Sequence, residues 1–295
     1  MAAVSAPRPS GLREQAGRRL FTLVAGPAGA ANRARIHGTP GPRWFAADRP
    51  VRTVHGDASM FIGGLRALLL QSLHPRAMAA VAAHSGYRGD PWGRLQRTST
   101  FLAVTTYGTA EHAQEAVDRV RAVHDRVRGT TAAGEEYHAG DPHLLAWVHI
   151  AEVDSFLRAH QRYGAHPLDA AGCDAYVADT ARIAEALGVP DPPRDRAALA
   201  ERLAAYRPEL HGTPQAREAA RFILFHPPLP LAARAPYALL TANAVSMLPR
   251  WAREGLGLPS LPVLEKVCVR PAGLAVTGAI RWAMGAPPPP TGDGS

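Results

Sequence analysis

Proline and glycine punctuate this sequence in the way that marks a chain of helices. Asp90-Pro91, Asp141-Pro142 and Thr213-Pro214 each set a side-chain acceptor before a proline at the first helical position. Gly108, Gly129, Gly164 and Gly188 stand where helices need a residue tolerant of left-handed backbone. The pattern predicts helices over 58–73, 75–84, 91–107, 110–128, 142–163, 174–187, 195–206, 214–226, 237–248 and 271–284. No segment sustains period-two alternation, so no sheet is expected. The fold class is therefore all-α: a single globular bundle of about ten helices over 13–284. A flexible N-terminus over 1–12 and a disordered Pro-rich tail over 285–295 flank it.

Composition excludes several classes. Apolar residues make up 46% and charged residues 20%, which is globular. No charge-free apolar run reaches the length of a membrane span. The nearest, Leu229 to Leu248, is broken by Pro230, Arg234 and Pro236 and leaves only a peripheral membrane contact open. The net charge of +8 suggests nucleic acid, but Lys266 is the one lysine. The arginines are scattered among acidic neighbours with no aromatic interleaving, so no nucleic-acid partner is expected. Cys173 and Cys268 form neither a disulfide framework nor a C-x-x-C site. Arg18-Arg19-Leu20-Phe21 resembles a twin-arginine export signal, yet Gly26, Pro27 and Gly29 interrupt the apolar stretch after it. A first amphipathic helix and a cytoplasmic location are the reading, with twin-arginine export as the alternative.

The segment 58–73 is apolar on nearly every side, which predicts a central buried helix. Gly63-Gly64 inside it weakens the helix, a cost tolerated where another helix or a flat ligand approaches closely. Phosphate-loop, dinucleotide-binding, zincin and hydrolase motifs are absent, which leaves the 13 histidines. His124 falls on an apolar stripe with Ala113, Val117, Val120 and Val127. An imidazole there is either a core histidine bonded to a carbonyl or an axial metal ligand. Helices 91–107 and 110–128, joined by Gly108-Thr109, form an antiparallel hairpin. Arg94 lies 15 residues before Thr109 and His124 15 after it, so they stand level. Arg94, Arg97, Thr98 and Phe101 share one helical face, and two inward arginines would suit an anionic group.

Further motifs surround these residues: Arg94-Leu95-Gln96-Arg97-Thr98, Val123-His124-Asp125-Arg126-Val127-Arg128-Gly129, Tyr137-His138-Ala139-Gly140-Asp141-Pro142, Trp147-Val148-His149, and Gln71-Ser72-Leu73-His74-Pro75. Over roughly 45–250 their combined spacing resembles the MpaB and latex-clearing-protein family of helical haem-b oxygenases, which cleave double bonds in polyisoprenoids. The resemblance implies a bundle built around a buried cofactor site, with His124 as the proximal ligand to haem iron and dioxygen as co-substrate. Arg94 and Thr98 match the family's polar residues near the haem. Two departures stand out. Arg97 replaces the rubber-cleaving branch's distal lysine, and no Asp or Glu occurs between Ala58 and Gly89, where that branch has a glutamate.

The expected site thus has Arg94, Arg97 and Thr98 as catalytic residues. His124, Arg94, Thr98 and His74 bind cofactor, and His124 binds metal. His74, held extended before Pro75, is read as either a structural bond to a helix end or a site residue. His149 is read as hydrogen-bonded to Glu152 within the bundle, and Tyr137 and Trp147 as packing. Three functions stay open: a haem-b oxygenase acting on a small apolar, isoprenoid-like substrate; a non-haem iron enzyme using His74, His124 and His149 with a carboxylate; and a non-enzymatic lipid or haem carrier.

Overall fold

The caps written into the sequence are formed. Asp90 accepts from the Gly93 N–H at 2.8 Å and Thr109 from that of His112 at 3.2 Å. Asp141 accepts from His143 at 2.9 Å and Thr213 from Ala216 at 3.1 Å. The computed structural model describes residues 11–86, 89–227 and 229–285. Of the flexible start (1–12) and Pro-rich tail (285–295) read from the sequence, 1–10 and 286–295 lie outside the described residues, while Leu12 already opens the first helix.

In chain order the elements are α1 (Leu12–Ala25), α2 (Gly29–Gly38), α3 (Pro50–Gly56), α4 (Met60–Gln71), α5 (Pro75–His84), α6 (Pro91–Tyr107) and α7 (Ala110–His124). A hairpin of β1 (Arg128–Thr130) and β2 (Glu136–His138) comes after them. Next are α8 (Pro142–Tyr163), α9 (Ala170–Leu187), α10 (Arg196–Ala205), a 3₁₀ turn (Arg207–Glu209) and α11 (Pro214–Phe225). The last are α12 (Leu231–Ser246), α13 (Arg250–Leu256) and α14 (Pro262–Leu264), which runs through a π-turn (Glu265–Val269) into α15 (Arg270–Met284). Among the described residues no helix is long and apolar enough to cross a membrane.

The all-α expectation holds, with local corrections. The helix expected over 110–128 stops at His124, and Gly129 lies in a strand instead of closing it. Arg128, Gly129 and Thr130 pair antiparallel with His138, Tyr137 and Glu136 around a turn at Gly134, whose φ is 85°. Three-residue strands are too short for alternation to register. α9 starts at Ala170, before the expected 174, because Asp169 caps it through Gly172 at 2.7 Å. α12 begins at Leu231 and carries Pro236 inside it. Short α2, α3 and α13 are not legible in the sequence, since seven to ten residues show little periodicity.

α4 packs along α8 at the centre of the molecule. A Cβ on Gly63 would lie 2.8 Å from the Phe156 ring and 3.2 Å from Ala159, so the glycine serves helix–helix contact. The helix is not buried all round, however, as Leu68 is 37% exposed. Inside the same interface Arg66 pairs with Asp154 at 2.8 Å and donates to Ser155 Oγ at 2.6 Å and to the Met247 carbonyl at 3.1 Å. α1 is the amphipathic helix expected near the N-terminus and lies against α15 and α6.

Candidate functional site

His124 sits at the C-terminal end of α7, where the helix emerges from the core. Ala113 and Val117 of its stripe are buried, while Val120 and His124 are half-buried, less enclosed than the stripe predicts. The ring faces a cleft of about 170 Å³ lined by Arg121, Asp125, Gly140, Pro142, Leu145, Leu187 and Gly188. Arg121 donates to the Ala186 carbonyl at 3.2 Å, fixing α7 to the end of α9. Gly188, with φ 102°, turns the chain away and forms the far wall. Burial lowers the His124 pKa against the pull of Asp125, and His138 adds to the lowering, which favours the neutral imidazole.

No hydrogen bond is formed to the His124 ring among the described residues, so the carbonyl-bonded core histidine is not what the structure contains. His138 Nε2 is buried without a hydrogen-bond partner. A Cβ on Gly140 would lie 3.0 Å from the His138 ring, and this glycine keeps the floor of the cleft open. A neutral, unbonded imidazole is the donor an axial haem ligand requires. The donor therefore fits. The volume is smaller than the roughly 300–1,000 Å³ typical of cofactor pockets, so a macrocycle requires the end of α7 to part from α8 and α9, which line the cleft.

The other predicted residues lie elsewhere. Arg94 is half-buried and donates to Ser85 Oγ at 2.8 Å, tying the start of α6 to the end of α5. Arg97 pairs with Asp90 at 3.2 Å, and both side chains are at least 60% exposed. Thr98 is exposed. None of the three lines the His124 cleft. The expectation of two inward arginines is corrected: Arg97 is held at the surface by the acid that caps its own helix.

His74 is 1% exposed. Its extended backbone, φ −86° and ψ 115°, is the one Pro75 imposes. Its Nε2 lies 3.4 Å from Glu209 Oε2, which is 2.8 Å from His143 Nε2. Among the described residues, the group with metal-ligand spacing is His74, His143 and Glu209, and it includes neither His124 nor His149. That corrects the proposed set of His74, His124 and His149. His149 faces Val189, Pro190 and Pro192 across α8. His149 Nε2 is buried without a hydrogen-bond partner, so among the described residues it is not bonded to Glu152. Burial lowers the His149 pKa to about 4 and raises that of Glu152 to about 7.

Tyr137 and Trp147 pack as expected: both are buried, and Trp147 Nε1 donates to the Gln71 carbonyl at 3.2 Å. Sequence reasoning missed His143, Glu209 and Arg66 as site or core residues. The Asp141-Pro142 cap puts His143 in the first turn of α8, but nothing local places Glu209 beside it.

Comparison with known proteins agrees with this picture. The chain is 36% identical over 114 residues to an uncharacterised protein of Mycobacterium tuberculosis and equally to one of Mycobacterium bovis. Each match covers 38% of this chain and 44% of the relative. No solved structure matches. Residues 52–282, which contain the His124 cleft and the α4–α8 core, match a single family description, and the chain belongs to the ER-bound oxygenase mpaB/B'/rubber oxygenase catalytic-domain family.

Proposed function

We propose that this chain is a haem-b-dependent oxygenase, an oxidoreductase that uses dioxygen on a small apolar, isoprenoid-like substrate. The observation that carries the reading is His124, a neutral imidazole with no hydrogen-bond partner, facing a cleft within the matched region of an oxygenase family. Haem b supplies the redox chemistry at iron that dioxygen needs and that side chains lack.

In this reading His124 is the iron ligand, with Asp125 beside it keeping the ring basic. Arg94, now bonded to Ser85 outside the cleft, would supply a cation for an anionic group of the cofactor, and the Thr98 hydroxyl would be a further hydrogen-bonding group on the same helix. Arg97 stays charged in its surface pair with Asp90, outside the cleft, and takes no part at the cofactor. Pro142, Leu145 and Leu187 supply the apolar wall that a substrate without polar groups would meet.

The test is the visible spectrum of the full chain loaded with haem. One haem per chain with a Soret band is expected. His124→Ala should lose that band while keeping its helical circular dichroism, and Arg94→Ala should bind haem roughly tenfold more weakly, about 1.4 kcal/mol. An unchanged Soret band in folded His124→Ala overturns the assignment.

A further inference from the structure

His74, His143 and Glu209 belong to three separate parts of the fold and meet at one point. His74 stands before α5, His143 is the second residue of α8, and Glu209 ends the 3₁₀ turn after α10. One ligand atom from each lies within 4.8 Å of the others. The Glu209 carboxylate is 2.8 and 3.0 Å from His143 Nε2, and 3.4 Å from His74 Nε2. Donors around a tetrahedral ion at metal–ligand distances near 2.0–2.1 Å stand ~3.3 Å apart, and both histidine–Glu209 separations lie within about half an ångström of that value.

His143 Nε2 is hydrogen-bonded to the Glu209 carboxylate, whereas His74 is buried and neither of its ring nitrogens has a hydrogen-bond partner. The Tyr206 hydroxyl donates its one proton to the His143 carbonyl at 2.8 Å. Its oxygen, 3.3 Å from His143 Nδ1, can then only accept, which puts a proton on Nδ1. His143 Nε2 points at the carboxylate, and a metal ion in place of a proton there would take the His143 and His74 nitrogens together with Glu209. The Tyr206 contact is also the outer hydrogen bond that orients a metal-ligating imidazole. The Tyr206 ring, 4.6 Å from that of His143 and 5.3 Å from that of Trp147, gives the site an apolar floor.

We infer that His74, His143 and Glu209 form a site for one divalent first-row transition-metal ion, bound through both Nε2 atoms and the Glu209 carboxylate. Two imidazoles and one carboxylate suit zinc or iron(II), whereas calcium and magnesium take oxygen ligands. His143 is 45% and Glu209 37% exposed at the side chain, so the outer side of the ion stays open to water or a small ligand. Arg76, 3.9 Å from Glu209, is the nearby cation and holds the carboxylate at the rim. The site shares no residue with the His124 cleft and does not depend on the haem reading.

The test uses the full chain without a histidine tag, stripped with EDTA, and titrated with Zn²⁺ by calorimetry and with Co²⁺ by visible absorption. One ion per chain is expected, with Co²⁺ giving the d–d bands of a low-coordinate site. Glu209→Gln and His143→Ala, at exposed positions that leave the core intact, should each weaken binding by at least ~100-fold. Tyr206→Phe should weaken it by ~10-fold as an outer-shell change. His124→Ala should bind the ion as the unaltered chain does. Absence of stoichiometric binding by the unaltered chain overturns the inference, and so does Glu209→Gln binding with unchanged affinity.

Discussion

Glu152 shows how a single side chain in the core responds to pH. Burial raises its pKa from the ordinary carboxylate range to about 7. Its charge reaches Tyr176, whose own pKa burial raises. His55, with a pKa lowered by burial to about 4, lies 2.8 Å from Thr106 Oγ1 and 3.3 Å from the hydroxyl of buried Tyr176. A raised carboxylate pKa means the folded state holds a proton that the unfolded chain has lost. Stability contributed by Glu152 is therefore complete below about 4.5, falls as pH rises to about 7, and then levels off. The loss amounts to at most about 3 kcal/mol. Glu152→Gln should remove this slope, measured by urea unfolding at several pH values across that window. Equal slopes in the two proteins would show that Glu152 is solvated. No local pattern hints at this pKa, because an acid on a helix with apolar neighbours reads the same whether it points in or out.

At the scale of elements, one ion pair closes the two ends of the bundle. Arg281 on α15 donates to Asp57, between α3 and α4, at 2.7 and 3.0 Å. Burial pushes the Asp57 carboxyl up, but Arg281 and the N–H groups of Ser59 and Ala165 outweigh it and hold the pKa at about 2. A lowered pKa gives stability that is present above about 4 and is lost as pH falls toward 2. Arg281→Met strands the buried carboxylate and should cost roughly 3–5 kcal/mol at pH 7. The cost should shrink at pH 3, where Asp57 begins to take up a proton, as thermal unfolding at both values would show. An equal cost at both would place the effect in lost packing. The same scale separates what local chemistry decides from what it does not. Asp90, Thr109, Asp141 and Thr213 cap helices where the sequence puts them, because a cap is satisfied within three residues. α7 ends four residues before the expected 128, because residues 128–130 find strand partners at 136–138 instead of a further helical turn.

For the whole molecule the proposed substrate class sets the prediction. The His124 cleft measures about 170 Å³, and Arg97 lies outside it in a surface pair with Asp90. A guanidinium does not give up its proton near neutral pH, so Arg97 is no base for this cleft. Haem-loaded protein should convert short isoprenoids to carbonyl products, with at least tenfold less product from polyisoprene latex, as mass spectrometry would measure. Robust release of oligo-isoprenoid aldehydes from latex would contradict this. Family, helical class and most helix positions were determined by the sequence alone, since caps, prolines and apolar spacing act over a few residues. The place of His124 at the end of one apolar stripe was legible for the same reason, while its reading as a ligand came from the family resemblance. The tertiary structure alone decided the rest: that Arg97 turns outward to its own helix cap, that Arg66 meets Asp154 in the core, and that His74 meets His143 and Glu209. Those partners are 88, 69 and 135 residues apart in the chain. Their meeting results from how α4, α5 and the 3₁₀ turn pack around α8, which no local pattern encodes.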